Sequence, residues 1–382
     1  MSTNLPIYLD YNATTPVAPE VADAMLPFLR ERFGNPSSSH PYGRLAARAV
    51  GEARDEVAAL IGARSGEIVF TGCATEANNL ALLGVARALG HSRRHLVVSA
   101  VEHPAVMAPA RWLEANGWSL TVVPVDGHGR VSPDDVARAL RPDTALVSVM
   151  HANNEVGTIQ PVAEIAAVTR SRGILLHTDA AQSAGKVEVN VDRLGADLLT
   201  LAGHKFYATK GVGALYVRTG TPIRPVLFGA DQEHGLRPGT ENVPAIVGLG
   251  AAARLARERL PDAGGRLRGL RDRLHEALAR SVPGLVLNGH PDERLPNTLH
   301  LSFPGVTGRA LLEAAAEVVA ASVGSACHAE HDAVSGVLAA MSVDVACARG
   351  AVRLSVGMMT TGDEVDRAAA GLIAAWRALT AR

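Results

Sequence analysis

The chain has 382 residues, 47 % hydrophobic but only 4 % aromatic, so a sizeable core is available and Ala, Val and Leu must fill it. Its 37 basic and 38 acidic residues leave a formal net charge of −1, which gives no electrostatic footprint for nucleic acid or an anionic membrane. No apolar run reaches membrane-spanning length, Met1–Pro6 lacks the regions of an export signal, and Cys73, Cys327 and Cys347 form no CxxC pair, so free thiols in a reducing cytoplasm are expected.

In chain order, amphipathic helices are predicted at Pro41–Ile61, Glu76–Leu89, Pro133–Leu140 and Val162–Arg172. Strands are predicted at Ile68–Thr71, His95–Ser99, Leu120–Val125, Ala145–Met150, Ile174–Thr178, Leu198–Ala202 and Gly213–Val217. Several of these runs are apolar on both faces, as in a sheet covered by helices on each side. The alternation argues for a wound α/β domain with a mostly parallel, seven-stranded sheet. From about Asn242 a long Ala/Leu/Arg-rich helical region runs to about Ser281, with a break predicted near Pro261–Gly265. Strand-like pieces follow at Leu285–Leu287, Thr298–Phe303, Val318–Val323 and Ala351–Val356, and a last helix begins near Asp363. This second region reads as a smaller α+β domain that also takes in the first residues. The expected division is 16–259 for the large domain, and 1–15 with 260–382 for the small one.

Chemistry-bearing residues fall directly after the predicted strands. Thr71-Gly72-Cys73-Ala74-Thr75-Glu76 follows a strand and opens a helix, where small residues and unpaired N–H groups suit an anion; an ordinary capped turn would read the same way. His103 follows the next strand, where an imidazole can stack on a flat ring and shuttle protons, or be structural. Asn153–Gly157 offers amides for a ring hydroxyl or a carboxylate, or simply a turn. Asp179 stands at a strand end, where open α/β sheets place ligands, and a buried carboxylate there needs a cation. The protonated ring nitrogen of pyridoxal phosphate is one such cation; an Asp capping the next turn is the plain alternative. His151, His177 and Asp179 permit a metal reading, but without tight ligand spacing. Lys205 lies just past another strand, and a desolvated lysine there can form a Schiff base, although most lone lysines are solvated. Cys327 closes the small-residue run Ala321–Ala326 and reads as a nucleophilic thiol or a buried structural cysteine.

Taken in order, Tyr8–Pro16, the 71–76 turn, Glu102-His103, Asn153–Gly157, Asp179–Gln182, Gly203-His204-Lys205, Arg237–Asn242, Gly324–Cys327 and Arg353–Gly357 span nearly the whole chain. This ordered set resembles the cysteine desulfurases, pyridoxal 5'-phosphate enzymes of the class V aminotransferase group on fold type I. The resemblance implies that Lys205 holds the cofactor as a Schiff base, Asp179 pairs with its ring nitrogen and His103 stacks on the ring. It places Gln182 and Asn154 on the ring hydroxyl, and Ala74, Thr75 and His204 on the phosphate. Thr240 would reach the phosphate of the neighbouring subunit in a homodimer. Asn154 and Arg353 would bind the substrate carboxylate. Cys327 would take sulfur from L-cysteine as a persulfide, leaving L-alanine, and pass it to an acceptor protein. The 26 positions between Cys327 and Arg353 look like the group I desulfurases, whose cysteine rides on a longer, mobile loop; mobility is expected over residues 325–340.

Three positions depart from the common pattern: Ala202 where many desulfurases carry a serine on the phosphate, Cys73 in the phosphate turn, and Met358 where Arg often follows the Arg-x-Ser-x-Gly motif. The stretch around Cys327 also looks like selenocysteine lyases, which makes selenocysteine the rival substrate. A rival of another class is an inactive scaffold of a sulfur-transfer complex, but the retained Lys205 and Cys327 argue against it. The destinations the resemblance allows are iron–sulfur clusters, tRNA thiolation, cofactor synthesis and DNA phosphorothioate modification. Near-neutral charge favours transfer to a protein rather than direct nucleic-acid binding, and the short segment after the last helix favours a specialised pathway.

Overall fold

The computed structural model describes residues 5–324 and 335–381. Seven strands form its large sheet in the spatial order Ile68–Thr71, Gly213–Val217, Leu198–Ala202, Leu175–Asp179, Thr144–Ser148, His95–Ser99, Ser119–Val123. Gly213–Val217 alone runs antiparallel, against both its neighbours; the remaining pairs are parallel. His95–Ser99, Thr144–Ser148 and Leu198–Ala202 are buried at every position, which is why they read as apolar on both faces.

Alternate side chains of this sheet enter different cores. Ile68, Phe70, Leu199 and Leu201 pack with Val50 and Val57 of helix Pro41–Ile61 and with Ile246 and Leu249. Val69, Leu96, Val98 and Leu215 pack with Leu80 and Val85 of helix Ala74–Leu89 on the opposite face. The parallel strands therefore deliver their C-terminal ends to one edge, and the residues following them to one region.

Ala351–Ser355, Thr298–Ser302 and Val286–Leu287 form a three-stranded antiparallel sheet in that spatial order. Ile7–Tyr8 pairs in parallel with Val319–Ala320, and Ile7 and Leu9 share a core with Leu299, Leu301, Val352, Leu354 and Leu372. The strand predicted over Val318–Val323 is thus regular only at Val319–Ala320. The last helix is Gly362–Thr380, started by a reciprocal cap in which the Thr361 hydroxyl accepts from Glu364 N–H and the Glu364 carboxylate accepts from Thr361 N–H.

The predicted break at Pro261–Gly265 is not observed: one helix runs from Val243 to Ser281 with Pro261 inside it. Its first turns, through Ala252 and Ala253, belong to the large-sheet core, while Leu267, Leu274 and Leu278 belong to the C-terminal core. Packing at both ends offsets the roughly 3 kcal/mol a proline costs within a helix. Pro261 itself faces outward.

Candidate active site

A cavity of about 580 Å³ lies where the parallel strands end. Ala74, Thr75, His103, Asn154, Asp179, Gln182, His204, Lys205 and Arg353 all line it. Thr240 is exposed and does not line the cavity of its own chain. Cys327 lies outside the described residues, as does most of the span expected to be a mobile loop, but Gly324 and Gly336 on either side of it both line the cavity.

Asp179 ends strand Leu175–Asp179 and is only 5 % exposed. Its Oδ1 accepts from Ala181 N–H at 2.9 Å, and its Oδ2 accepts from Asn78 Nδ2 at 2.7 Å. Asn78 is fully buried one turn into helix Ala74–Leu89, and its own Oδ1 has no partner among the described residues. One helix thus supplies both the turn beside the cavity and the support for the carboxylate.

At the start of that helix, Cys73 is the N-cap but makes no side-chain capping bond, so the first N–H groups are left for an anion. Close approach here depends on Gly213: a Cβ at that position would sit 2.8 Å from the Cys73 carbonyl carbon and 3.0 Å from Ala74 N. Glu76 does not point its charge at the turn's open end. It accepts from Gly72 N–H at 2.9 Å and from Arg237 Nε at 2.7 Å. Ala202 lines the cavity without a hydroxyl.

Lys205 follows strand Leu198–Ala202 through a short 3₁₀ turn. Its Nζ donates to the carbonyls of Asn12 at 2.6 Å and Ala13 at 2.8 Å. Burial, reinforced by the charge of Arg353, lowers the amine to about 8, against the opposing pull of Asp10 and Asp179. His204 meets the Thr14 hydroxyl through Nδ1 at 3.1 Å and is lowered to about 4, by burial first and then by Lys205.

His103 caps helix Pro104–Ala115, its Nδ1 accepting from Ala105 N–H at 3.1 Å. The neutral ring therefore carries its proton on Nε2. Burial lowers its proton affinity and Lys205 adds to this, while Asp179 opposes. Arg353, in the antiparallel strand opposite His300, is 3 % exposed. Its Nη1 donates to the Asn154 carbonyl at 2.9 Å and its Nη2 to Asp10 Oδ1 at 2.8 Å, while Nε has no partner among the described residues. The guanidinium is therefore already oriented by Asp10, which the sequence reading did not single out.

The sequence reading gave no role of their own to Asn12, Glu102 and Lys186. Asn12 is fully buried and ties the two regions together: its side chain donates to Thr298 Oγ1 at 2.8 Å and accepts from Asn297 Nδ2 at 3.0 Å, while its carbonyl accepts from Gln182 Nε2 at 2.9 Å. Glu102 lines the cavity with its Oε1 accepting from Ser99 Oγ and from Met150 N–H, while its buried Oε2 has no partner among the described residues. Burial, with a contribution from Asp179, raises its carboxyl to about 8. Lys186 is buried and donates to Gln182 Oε1 at 3.0 Å. Met358 sits beside two cations, Arg259 at its sulfur and Arg266 at its carbonyl.

His151 and His177 serve structure instead of a metal. His177 is bonded on both ring nitrogens, to the hydroxyls of Ser148 and Thr200, and His151 Nδ1 meets Ser183 Oγ. Burial lowers both rings to about 4. Among the described residues no group of three His, Cys, Asp or Glu is placed to hold a metal ion, and no helix is long and apolar enough to cross a membrane.

Comparison with known proteins matches this arrangement. Residues 7–368 match the aminotransferase class-V family. The chain is 47 % identical over 361 residues to cysteine desulfurase IscS of Dictyoglomus turgidum, covering 94 % of this chain and 92 % of that one. A solved NifS-like protein superposes with a TM-score of 0.91 at 37 % identity, covering 97 % of this chain and 99 % of its own. The structure of SspA in complex with cysteine superposes with a TM-score of 0.82 at 37 % identity, over 91 % of this chain and 98 % of its own. The chain belongs to the aminotransferase class-V family, among its cysteine desulfurases.

Proposed function

We propose that this chain converts L-cysteine to L-alanine with pyridoxal phosphate, holds the sulfur as a persulfide on Cys327 and passes it to an acceptor protein. The observation that carries this reading is the convergence of Lys205, Asp179 and Arg353 on one cavity, with Gly324 and Gly336 flanking the Cys327 segment at its wall. The cavity fits the cofactor by its donor set. An amine lowered to about 8 suits a carbonyl, a buried carboxylate suits a ring cation, and an uncapped helix start suits a phosphate. Ala74, Thr75 and His204 would hold the phosphate, Asp179 the ring nitrogen, His103 the ring face, and Asn154 and Gln182 the ring hydroxyl.

Bound there, the cofactor supplies an electron sink that acidifies the Cα–H of the substrate. The residues of the chain supply the rest. Arg353 offers a planar fork to the substrate carboxylate, and the Asp10 bond fixes the plane of that fork. Lys205, at the cavity wall, would take the Cα proton with its neutral amine. Its lowered proton affinity keeps a usable neutral fraction near neutral pH. The Cys327 thiolate then attacks the substrate sulfur. The new S–S bond forms as the C–S bond breaks, the C–S electron pair passes to Cβ, protonation there gives the methyl group, and return of the proton from Lys205 to Cα completes alanine. His103, with its proton on Nε2, is placed to carry protons in this exchange.

The same reading includes a homodimer in which Thr240 serves the partner's cavity. It is supported by the exposure of Thr240 and by the apolar side chains of Leu29, Phe33 and Phe228, which are 62 %, 76 % and 75 % exposed.

The test is product analysis with cysteine and, in parallel, selenocysteine. Cys327→Ser is expected to lose alanine formation from cysteine while keeping the cofactor's absorbance. Normal alanine release by that variant would overturn the persulfide assignment.

A further inference from the structure

Lys186 is a lysine with almost no solvent access, 6 % exposed, and among the described residues its only side-chain bond is to Gln182 Oε1 at 3.0 Å. Burying an amine is costly, and an aliphatic side chain would fill the same space without that cost. Its one partner is a cavity-lining residue. On the other end of the same amide, Gln182 Nε2 donates to the Asn12 carbonyl at 2.9 Å. That carbonyl also accepts from Lys205 Nζ at 2.6 Å. A chain of hydrogen bonds therefore runs from Lys186 through Gln182 and Asn12 to Lys205.

The two ends of an amide are distinguished only by their partners. Lys186 Nζ is a donor in either protonation state, and the Asn12 carbonyl is only an acceptor. Together they hold Gln182 with its oxygen toward Lys186 and its NH₂ toward Asn12. One N–H is used on Asn12, which leaves the second for the cavity.

We propose that Lys186 is a positioning residue for the reaction: it fixes the amide of Gln182 so that an N–H, and not a carbonyl oxygen, faces the ring oxygen of the cofactor. The proposal rests on the assignment above of this cavity to pyridoxal phosphate. A neutral amine still donates to Oε1; since it can also accept, the acceptor-only Asn12 carbonyl settles which end of the amide faces it. Burial, with the nearby charges of Lys205 and Arg353, holds the amine well below the usual lysine range. Without Lys186, Gln182 Oε1 would lose its donor in a buried setting, and the amide would turn to find another. An N–H donated to a ring oxygen favours its anionic form. Losing that donor makes the oxygen hold a shared proton more tightly, so the pH midpoint of the cofactor's absorbance moves upward.

The experiment loads four full-length proteins with pyridoxal phosphate: wild type, Lys186→Met, Gln182→Leu and the double variant. Absorbance is titrated from about pH 6 to about pH 10, and melting temperatures of the cofactor-free proteins check folding. Lys186→Met and Gln182→Leu are each expected to raise the midpoint by roughly half to one pH unit, the effect of about one hydrogen bond to a charged oxygen. The double variant is expected to match either single one, because both act through the same N–H. A wild-type midpoint in Lys186→Met, or additive shifts in the double variant, would overturn the positioning role. Failure of the wild type to develop any cofactor absorbance would instead overturn the assignment of the cavity. Should Lys186→Met not fold, Lys186→Gln, too short to reach Oε1 in the same way, is titrated in its place with the same expected shift.

Discussion

Asn78 Nδ2 lies 2.7 Å from Asp179 Oδ2, and both side chains are buried. The bond links helix Ala74–Leu89, whose first turn is proposed for the phosphate, to the carboxylate proposed for the ring nitrogen, so the two ends of the proposed cofactor site share one support. Removing it leaves Asp179 with the Ala181 N–H alone. Asn78→Ala is therefore expected to weaken pyridoxal phosphate binding by about fivefold to tenfold, as for loss of one hydrogen bond to a charged group. Equilibrium titration of the cofactor-free protein measures this. An unchanged dissociation constant would show that Asp179 holds its place without Asn78.

Glu102 predicts a pH dependence of stability. Its carboxyl is raised to about 8 by burial, from 4.5 in the open chain. A group whose folded value is raised stabilises fully below its unfolded value, and that contribution disappears as pH climbs through the folded one. Between about pH 4.5 and about pH 8 the fold should lose up to roughly 1.4 kcal/mol per pH unit from this residue. Glu102→Gln stays neutral and keeps an oxygen for Ser99 and Met150 N–H. Its melting temperature should fall less than that of the wild type from about pH 5.5 to about pH 7.5. Parallel curves for the two proteins would mean that Glu102 does not titrate in this window.

How far the site was legible follows from where its residues lie. Asp179 and Lys205 could be picked out because each ends or follows a strand buried on both faces, and such strands announce themselves as continuous aliphatic runs. Asn78 and Lys186 could not, since neither breaks a local pattern. Their importance comes from partners 101 residues away for Asn78 and from burial for Lys186. Glu102 looks like any carboxylate beside a histidine until the Ser99 and Met150 bonds show it to be buried. At Pro261–Gly265 the local signal was clear and tertiary packing overrode it.

Gly213 marks another relation that only the sheet reveals. It opens the antiparallel strand of the large sheet and pairs with both Thr71 and Ala202, which brings it against the turn that begins helix Ala74–Leu89. A Cβ there would lie 2.8 Å from the Leu201 carbonyl oxygen and from the Cys73 carbonyl carbon, and backbone atoms cannot swing aside. Gly213→Ala is expected to lower stability by about 2 kcal/mol and to weaken phosphate-dependent cofactor binding by displacing the turn. Gly211→Ala is the contrasting control: its Cβ would meet nothing within 4 Å, although its φ of 83° adds strain of its own. Thermal melts with and without the cofactor compare the two. Undiminished cofactor-induced stabilisation in Gly213→Ala would show that the turn tolerates the displacement.

Arg353 offers the most direct test of substrate handling. Its guanidinium is buried and aligned by Asp10 on one nitrogen and the Asn154 carbonyl on another, with Nε lacking a partner among the described residues. A planar fork held in this way can recognise a carboxylate through two parallel bonds, which the single ammonium of a lysine cannot reproduce. Arg353→Lys is expected to raise KM for cysteine by about tenfold or more, while cofactor absorbance stays as in the wild type. Asp10→Asn retains an oxygen for Nη2 but removes the charge, and should raise KM less. The order matters: if Arg353 merely braced Asp10, the two variants would lose cofactor or stability together and KM would move little. A larger KM effect in Asp10→Asn than in Arg353→Lys would place the carboxylate contact on another residue.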